Sequence, residues 1–214
     1  MTQLLLSLFD AQQPARPAYL DRVVADSSDR VAWLRARNRG ITATDVAKLS
    51  TPRSVEHAAR EKWYGSRFTG NAYTEHGRAR EPEIAAWVLE NHGIAPSTLL
   101  FHAERMPQHL ATPDGLVQRP DGTLELAEIK TTNKSWRGIP RHYLRQVWWQ
   151  QYVLGAERTL FVWERHEEFV PVGEPECRWV DRDDDEIAVL VALAARLSDA
   201  IEALAQRHTR AMAT

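Results

Sequence analysis

Residues 111–130 read ATPDGLVQRPDGTLELAEIK, and the triplet Pro-Asp-Gly occurs in them twice. Proline presets φ, aspartate bonds the backbone ahead of it and glycine accepts positive φ, so the triplet spells a tight turn. Two turns this close would leave only a stub of strand between them. A turn at Pro120-Asp121-Gly122 instead folds Ala111–Gln118 and Thr123–Thr131 into a hairpin whose paired residue numbers sum to 242. Asp114 then faces Glu128, Leu116 faces Leu126 and Thr112 faces Lys130. Alternation along a strand puts Asp114, Glu128 and Lys130 on one face, and Glu125 on the other as a bystander.

Carboxylates directly opposed across a ladder, with Cβ atoms about 4.5–5.5 Å apart, repel one another unless positive charge lies between them. A hard divalent cation uses one or two carboxylates with waters and substrate phosphate, and it lowers the pKa of a bound water. A lysine beside it can orient or activate that water and stabilise a pentacoordinate transition state. The same residues also suit a surface hairpin with a cross-strand salt-bridge patch, and this stretch alone leaves both readings open.

Elsewhere the period is helical over Asp29–Arg37, Thr42–Leu49, Ser54–Tyr64, with Ser54 as cap, and Glu81–Asn91. Pro82 belongs in the first turn of that last helix, which puts Glu81 at or near its N-cap. Leu99–Arg105 reads as a strand ahead of the hairpin, and Arg141–Leu154 as a helix stopped by Gly155. Strands follow over Thr159–Arg165, Glu168–Val172 and Arg178–Val180. A helix over Asp183–His208 has acids at its start and Arg207-His208 near its end, as the helix dipole favours. Residues 10–20 form an irregular arm. The order describes an α/β or α+β domain, a mixed central sheet flanked by helices, and 214 residues suffice for one such domain.

Composition narrows the function classes. Cys177 is the only cysteine, which excludes an internal disulfide, a cysteine zinc site and a cysteine-held iron–sulfur cluster. The apolar run Leu4–Phe9 is too short for a membrane span and has no basic residue before it, so an intracellular protein without a membrane segment is expected. Net charge is −2, but only four of the 27 basic residues are lysines, Lys130 among them. In so lysine-poor a chain, a lysine inside a motif carries more weight; arginine suits phosphate, although genome composition produces the same bias.

The motif and its neighbours resemble the PD-(D/E)xK nucleases: Pro113-Asp114, thirteen residues, then Glu128-x-Lys130. More specifically, the chain is similar to the lambda-type phage exonucleases, also called YqaJ-type viral recombinases. The blocks that carry the resemblance run in order over about 33–156: WLRARNRGITATDV, Gly77-x-x-x-Glu81-Pro82, ATPDGLV, LAEIKTT and PRHYLRQVWWQQYVLGA. Thr44 stands where serine is common, Thr131-Thr132 follow Lys130 where a proline is frequent, and Pro82 sits against Glu81.

That resemblance implies a restriction-endonuclease-like core in one nuclease domain spanning 1–214. It divides into an N-terminal arm (1–28), a helical DNA-end-binding region (29–70), a catalytic core (71–180) and a C-terminal helix (181–214). Asp114 and Glu128 would ligate Mg²⁺, with Mn²⁺ as a substitute, and the Ile129 carbonyl would be a third ligand. Lys130 would act on the attacking water, Glu81 through a second metal or a metal-bound water, and Gln146 beside the metals. Arg37 and Thr44 match positions that hold a 5′-phosphate, with Thr42 and Arg39 beside them. The implied activity is a 5′→3′ exonuclease on linear double-stranded DNA ends that leaves 3′ single strands for recombination. A trimeric ring and a single-strand annealing partner accompany it. An endonuclease or end-processing enzyme of the superfamily, or a catalytically silent DNA-binding scaffold, is the alternative.

Among the eight tryptophans, Trp87, Trp163 and one of Trp148 and Trp149 are expected in the core, and Trp136, near Lys134 and Arg137, is the candidate to touch DNA. Arg137, Arg141 and Arg145 recur at helical spacing and read as a solvated face, with a stripe over the DNA backbone as the second reading. No histidine spacing suggests a metal ligand.

Overall fold

The computed structural model describes residues 16–65 and 70–212. Its strands form two sheets. In one, β1 (Val23–Asp26), β4 (Leu99–His102), β5 (His109–Ala111) and β2 (Ile41–Thr42) lie in that order. In the other the order is β10 (Glu176–Asp181), β8 (Arg158–Glu167), β7 (Leu124–Thr132), β6 (Gly115–Gln118) and β3 (Ala95–Pro96), and β9 (Val170–Pro171) pairs with β8. β7 and β8 run parallel, so the chain needs a crossover between them. Helix α5 (Arg141–Leu154) supplies it and stops at Gly155, whose φ of 74° suits a residue without Cβ.

Alternation divides the environment of β7. Leu124 and Leu126 join the larger core with Phe161, Trp163 and the α5 residues Val147, Trp148, Trp149 and Val153. Ala127 and Ile129 point the other way, into a smaller core with Ile84, Ala85 and Val88 of α4 (Ala72–His92). Both Trp148 and Trp149 are buried, and Trp87 packs at the edge of the smaller core. The long α6 (Asp184–Met212) opens with Asp184, Asp185 and Glu186 and buries Ile187, Leu190, Ala194 and Leu197. No helix among the described residues is long and apolar enough to cross a membrane.

Four expectations are corrected. Ala111–Gln118 is not one strand: β5 ends at Ala111 and β6 begins at Gly115, in different sheets. Pro113, which has no N–H for a ladder, lies in the break. Asn71, not Glu81, caps α4 by accepting from the Thr74 N–H at 3.0 Å, so Pro82 lies in the helix interior. Its missing hydrogen bond is tolerated because contacts to β8 hold the preceding turns. His76 Nε2 meets His166 Nδ1 at 2.6 Å, and Arg80 makes two bonds to Glu164 at 2.9 and 3.0 Å. Thr51, rather than Ser54, caps α3 (Pro52–Tyr64), with Ser54 completing the capping box. Within the anticipated arm, Ala18–Arg22 is a 3-10 turn and β1 pairs with β4, while the run Leu4–Phe9 lies outside the described residues.

Candidate active site

The hairpin has the register its turn dictates: Gly115 pairs with Ala127, Leu116 with Leu126, Val117 with Glu125 and Gln118 with Leu124, each pair summing to 242. The ladder stops at Gly115, so the anticipated strand pairs Asp114–Glu128 and Thr112–Lys130 do not form. Asp114 still continues the strand's bonding by another route. Its N–H donates to the Ala127 carbonyl at 3.1 Å, and its Oδ2 accepts from the Ile129 N–H at 2.7 Å. The side chain therefore stands in for a backbone acceptor and is held against β7. On the opposite face, Glu125 is neutralised by Arg119 at 2.6 Å and Arg158 at 2.6 Å, as befits a bystander.

Glu128 is 1% exposed, a position a carboxylate occupies only when paired. Its Oε1 accepts from Lys130 Nζ and Gln146 Nε2, and its Oε2 accepts from Gln150 Nε2 at 2.6 Å. Gln150 also donates to the Thr112 carbonyl at 3.4 Å. Gln150 is absent from the sequence-derived site, although it follows Gln146 by one turn on the face of α5 that meets β7. That i, i+4 spacing was the available signal.

The electrostatics mark this point as crowded with negative charge. Burial first, then the Glu128 charge, pushes the Asp114 carboxyl well above its usual range, against the pull of Lys130. Glu81 is also raised, by the protein packed around its carboxyl and by Glu128, with Lys130 and Arg78 opposing. Burial works against the Lys130 ammonium, but Glu128 and Asp114 outweigh it and hold the group protonated. Gly77 helps α4 bring Glu81 in: a Cβ there would lie 2.9 Å from Thr131 Oγ1, so glycine lets the helix approach β7 without displacing that side chain.

The donor set fits a hard cation within limits. Among the described residues no group of three or more His, Cys, Asp or Glu side chains is arranged to hold an ion. Mg²⁺ does not need one, since it is held through one or two carboxylates with waters and phosphate. Two oxygen atoms beside Glu128, Gln150 Oε1 and Thr112 Oγ1, are buried without a protein partner. Ile129 itself is 6% exposed.

A second cluster sits within the field of the first. Arg37 stacks on Trp33, its guanidinium carbon 4.3 Å from the ring centre, and donates to Thr44 Oγ1 at 3.3 Å. Burial lowers the Arg37 pKa; Asp45 and, beyond Arg30, Glu128 pull the other way. Lys62 clamps this block, donating to the Arg37 carbonyl at 3.1 Å and to Asp45 at 2.5 Å. Thr42 leaves the phosphate-binding set: it is 2% exposed, and its hydroxyl caps α2 (Ala43–Ala47) and donates to Asp45 at 2.7 Å. Thr44 and Arg39 are exposed. Trp136 packs among Tyr143, Phe161 and Trp163 at ring distances of 5.5–6.2 Å, leaving Arg137 beside it as the exposed residue of that pair. Arg141 pairs with Glu186, and Arg145 donates to the Ala47 carbonyl at 3.0 Å, so that stripe serves helix packing.

A mixed sheet flanked by helices, with Asp114 immediately before β6 and Glu128-x-Lys130 on the adjoining β7, defines a PD-(D/E)xK-type fold. Residues 32–157 match the YqaJ-like viral recombinase domain, and since this is more than half of the chain, the protein belongs to that family. Compared with curated protein sequences, the chain finds no match. Among solved structures it is similar to LHK-Exo in complex with dAMP, at 24% identity and a TM-score of 0.66 over 85% of this chain and 97% of that one. A second structure of LHK-Exo, an alkaline exonuclease from Laribacter hongkongensis, aligns at 23% identity and a TM-score of 0.65 over the same shares. A phage-related exonuclease from Haemophilus somnus 129PT gives 11% identity and a TM-score of 0.61 over 79% of this chain and 96% of that one.

Proposed function

We propose that the protein is a divalent-metal-dependent DNA exonuclease that degrades linear duplex ends in the 5′→3′ direction. The observation that carries this reading is the buried Glu128 carboxylate, enclosed by Lys130, Gln146 and Gln150 beside an Asp114 that shares its charge field. Membership in the YqaJ-like family and the shared fold with exonucleases support it. So does the dAMP held by LHK-Exo, a mononucleotide of the kind such a reaction releases.

Asp114, Glu128 and the Ile129 carbonyl would hold Mg²⁺, or Mn²⁺ in its place, with Glu81 reaching in from α4. The cation, when bound, supplies neutralisation of the scissile phosphate and a more acidic water. The chain's own residues then have distinct tasks. Gln146 and Gln150 keep Glu128 in one rotamer. Lys130, held protonated by its two carboxylate neighbours, donates to a phosphate oxygen as charge builds there. Arg37, fixed on Trp33, and Thr44 receive the terminal 5′-phosphate, with Arg39 and Arg137 contributing exposed positive charge. The product is a 3′ single strand suited to an annealing partner, and a ring of subunits around DNA would make the digestion processive. The protein acts inside the cell.

Linear duplexes with and without a 5′-phosphate, and a closed circle, are incubated with Mg²⁺ alongside a Lys130→Ala variant. Loss of linear DNA only, faster with the 5′-phosphate and abolished in the variant, is expected. Nicking of the circle would replace this reading with an endonuclease, and absence of hydrolysis with a DNA-binding scaffold.

A further inference from the structure

Beside the catalytic centre lies a cleft of about 1170 Å³ that none of the roles above uses. It starts at Thr131 and Thr132, the residues that follow Lys130, and runs beneath the tip of the β8–β9 hairpin. Tyr143 joins it to the centre, its ring lying 5.5 Å from the Lys130 ammonium. Trp136 and Tyr143 are anchored in the core and line the inner wall. At the outer lip, Tyr73 and Phe169 are 58% and 42% exposed, with ring centres 5.0 Å apart. Phe169 is held there by a backbone with φ of 67°, preceded by Glu168 at 47°. Those two residues are the whole turn between the paired Glu167 and Val170, and a two-residue hairpin turn of this kind needs positive φ at both, so the turn itself fixes where Phe169 is presented.

Aromatic faces turned to water invite another flat apolar surface. Bases within a duplex have both faces covered by their neighbours, so the faces on offer belong to unpaired nucleotides. The cleft's charge is mixed, with Lys134 lining it beside Glu168 and with Glu167 paired to Arg165 at 3.3 Å, so the aromatic rings rather than a phosphate grip set it apart. We propose that this cleft is a stacking subsite for unpaired nucleotides of the strand that leads into the Asp114–Glu128–Lys130 centre. The inference rests on the nuclease reading and adds to it a site that grips bases on the far side of Lys130.

The test compares a short fluorescent oligothymidylate with a strand of equal length in which abasic residues replace the thymidines, both bound in EDTA. Wild-type protein should prefer the strand with bases by roughly tenfold, the scale of one stacked base. A Tyr73→Leu/Phe169→Leu double variant keeps apolar volume without the rings and should lose that preference. It should also melt like the wild type. In the wild type, a photoactivated iodouracil strand should crosslink to Tyr73 or Phe169, a readout that needs no variant. A wild type indifferent to bases, as a cleft for a peptide would be, overturns the proposal while leaving the nuclease reading intact. So does a variant that keeps the preference, or crosslinks confined to other residues. A wild type that cuts no DNA overturns the nuclease reading and this inference with it.

Discussion

The two Pro-Asp-Gly triplets share their chemistry and nothing of their fate. In the second, Asp121 is in solvent and accepts from the Thr123 hydroxyl at 2.7 Å and the Thr123 N–H at 2.9 Å, bonds that lower its pKa. In the first, Asp114 also bonds a backbone N–H, that of Ile129, yet burial and the Glu128 charge drive its pKa upward. The glycines differ in the same way. Gly122 is needed for conformation, with φ of 89° and nothing within 4 Å of where a Cβ would be. Gly115 is needed for space, since its Cβ would lie 3.0 Å from the Ala127 Cβ and 3.1 Å from Ile94 Cγ2. One triplet satisfies its aspartate and folds the chain; the other leaves its aspartate electrostatically strained where a cation would relieve it.

Removing each charge breaks that comparison most sharply. Asp114→Asn keeps the acceptor for the Ile129 N–H but not the charge, and should slow degradation of linear duplex by roughly a hundredfold to a thousandfold. Asp121→Asn should cut at the wild-type rate. Stability in EDTA separates the two as well. The folded-state pKa of Asp114 lies above its unfolded value, so the native state binds the proton more readily. The unfavourable contribution is present at neutral pH and is relieved as pH falls through the folded pKa. Asp114→Asn should therefore be at least as stable as the wild type at neutral pH, and lack that relief on acidification. Equal activity of the two variants would remove Asp114 from the centre.

How far this contrast was legible in the sequence depended on how local its causes were. The Asp121 turn sets the 242 register, and alternation then assigns Glu128 and Lys130 to one face and Glu125 to the other, all from neighbours a few residues apart. The break at Pro113 was missed because it depends on which sheet each half joins, β5 going to one and β6 to the other. Pro82 misled for the same reason: the local rule places proline in a first turn, and only the contacts of His76 and Arg80 with β8 show why α4 runs through it. Gln150 carried no motif, and its role depends on α5 crossing over β7. Thr42 looked like a phosphate ligand because it lies beside Arg37 and Thr44, and a hydroxyl at a helix start suits either purpose; its capping box with Asp45 decides the matter.

Acid titration of the whole protein would blur the Asp114 signal, because His109 pulls in the opposite direction. It is 2% exposed, stacks near Trp149 and meets the Tyr152 hydroxyl at 3.0 Å, and burial lowers its pKa to about 4. Native His109 is therefore neutral where the unfolded chain already binds a proton. Its contribution is complete above pH 6.5, declines as pH falls from there, and is fully lost near pH 4. The pKa difference corresponds to about 3 kcal/mol. Between those limits a His109→Gln variant should lose about 3 kcal/mol less stability than the wild type, measured by urea unfolding in EDTA. In that background the opposite slope due to Asp114 should emerge.

The glycines provide the finest cut. Gly115→Ala must push Ala127 or Ile94 aside and should cost about 1–3 kcal/mol. Because it pries β6 from β7 next to Asp114, it should also lower nuclease activity. Gly122→Ala meets no atom and suffers only the left-handed backbone, at about 1–2 kcal/mol. Activity per folded molecule should be unchanged, because the 242 register is also held by the four ladder pairs of β6 and β7. Thermal melts combined with initial rates on linear duplex distinguish the two substitutions. A Gly122→Ala protein that melts lower but cuts at the wild-type rate shows that the turn only folds the chain. If its rate falls as far as that of Gly115→Ala, the turn itself sets the position of Asp114, and the division of labour between the two triplets does not hold.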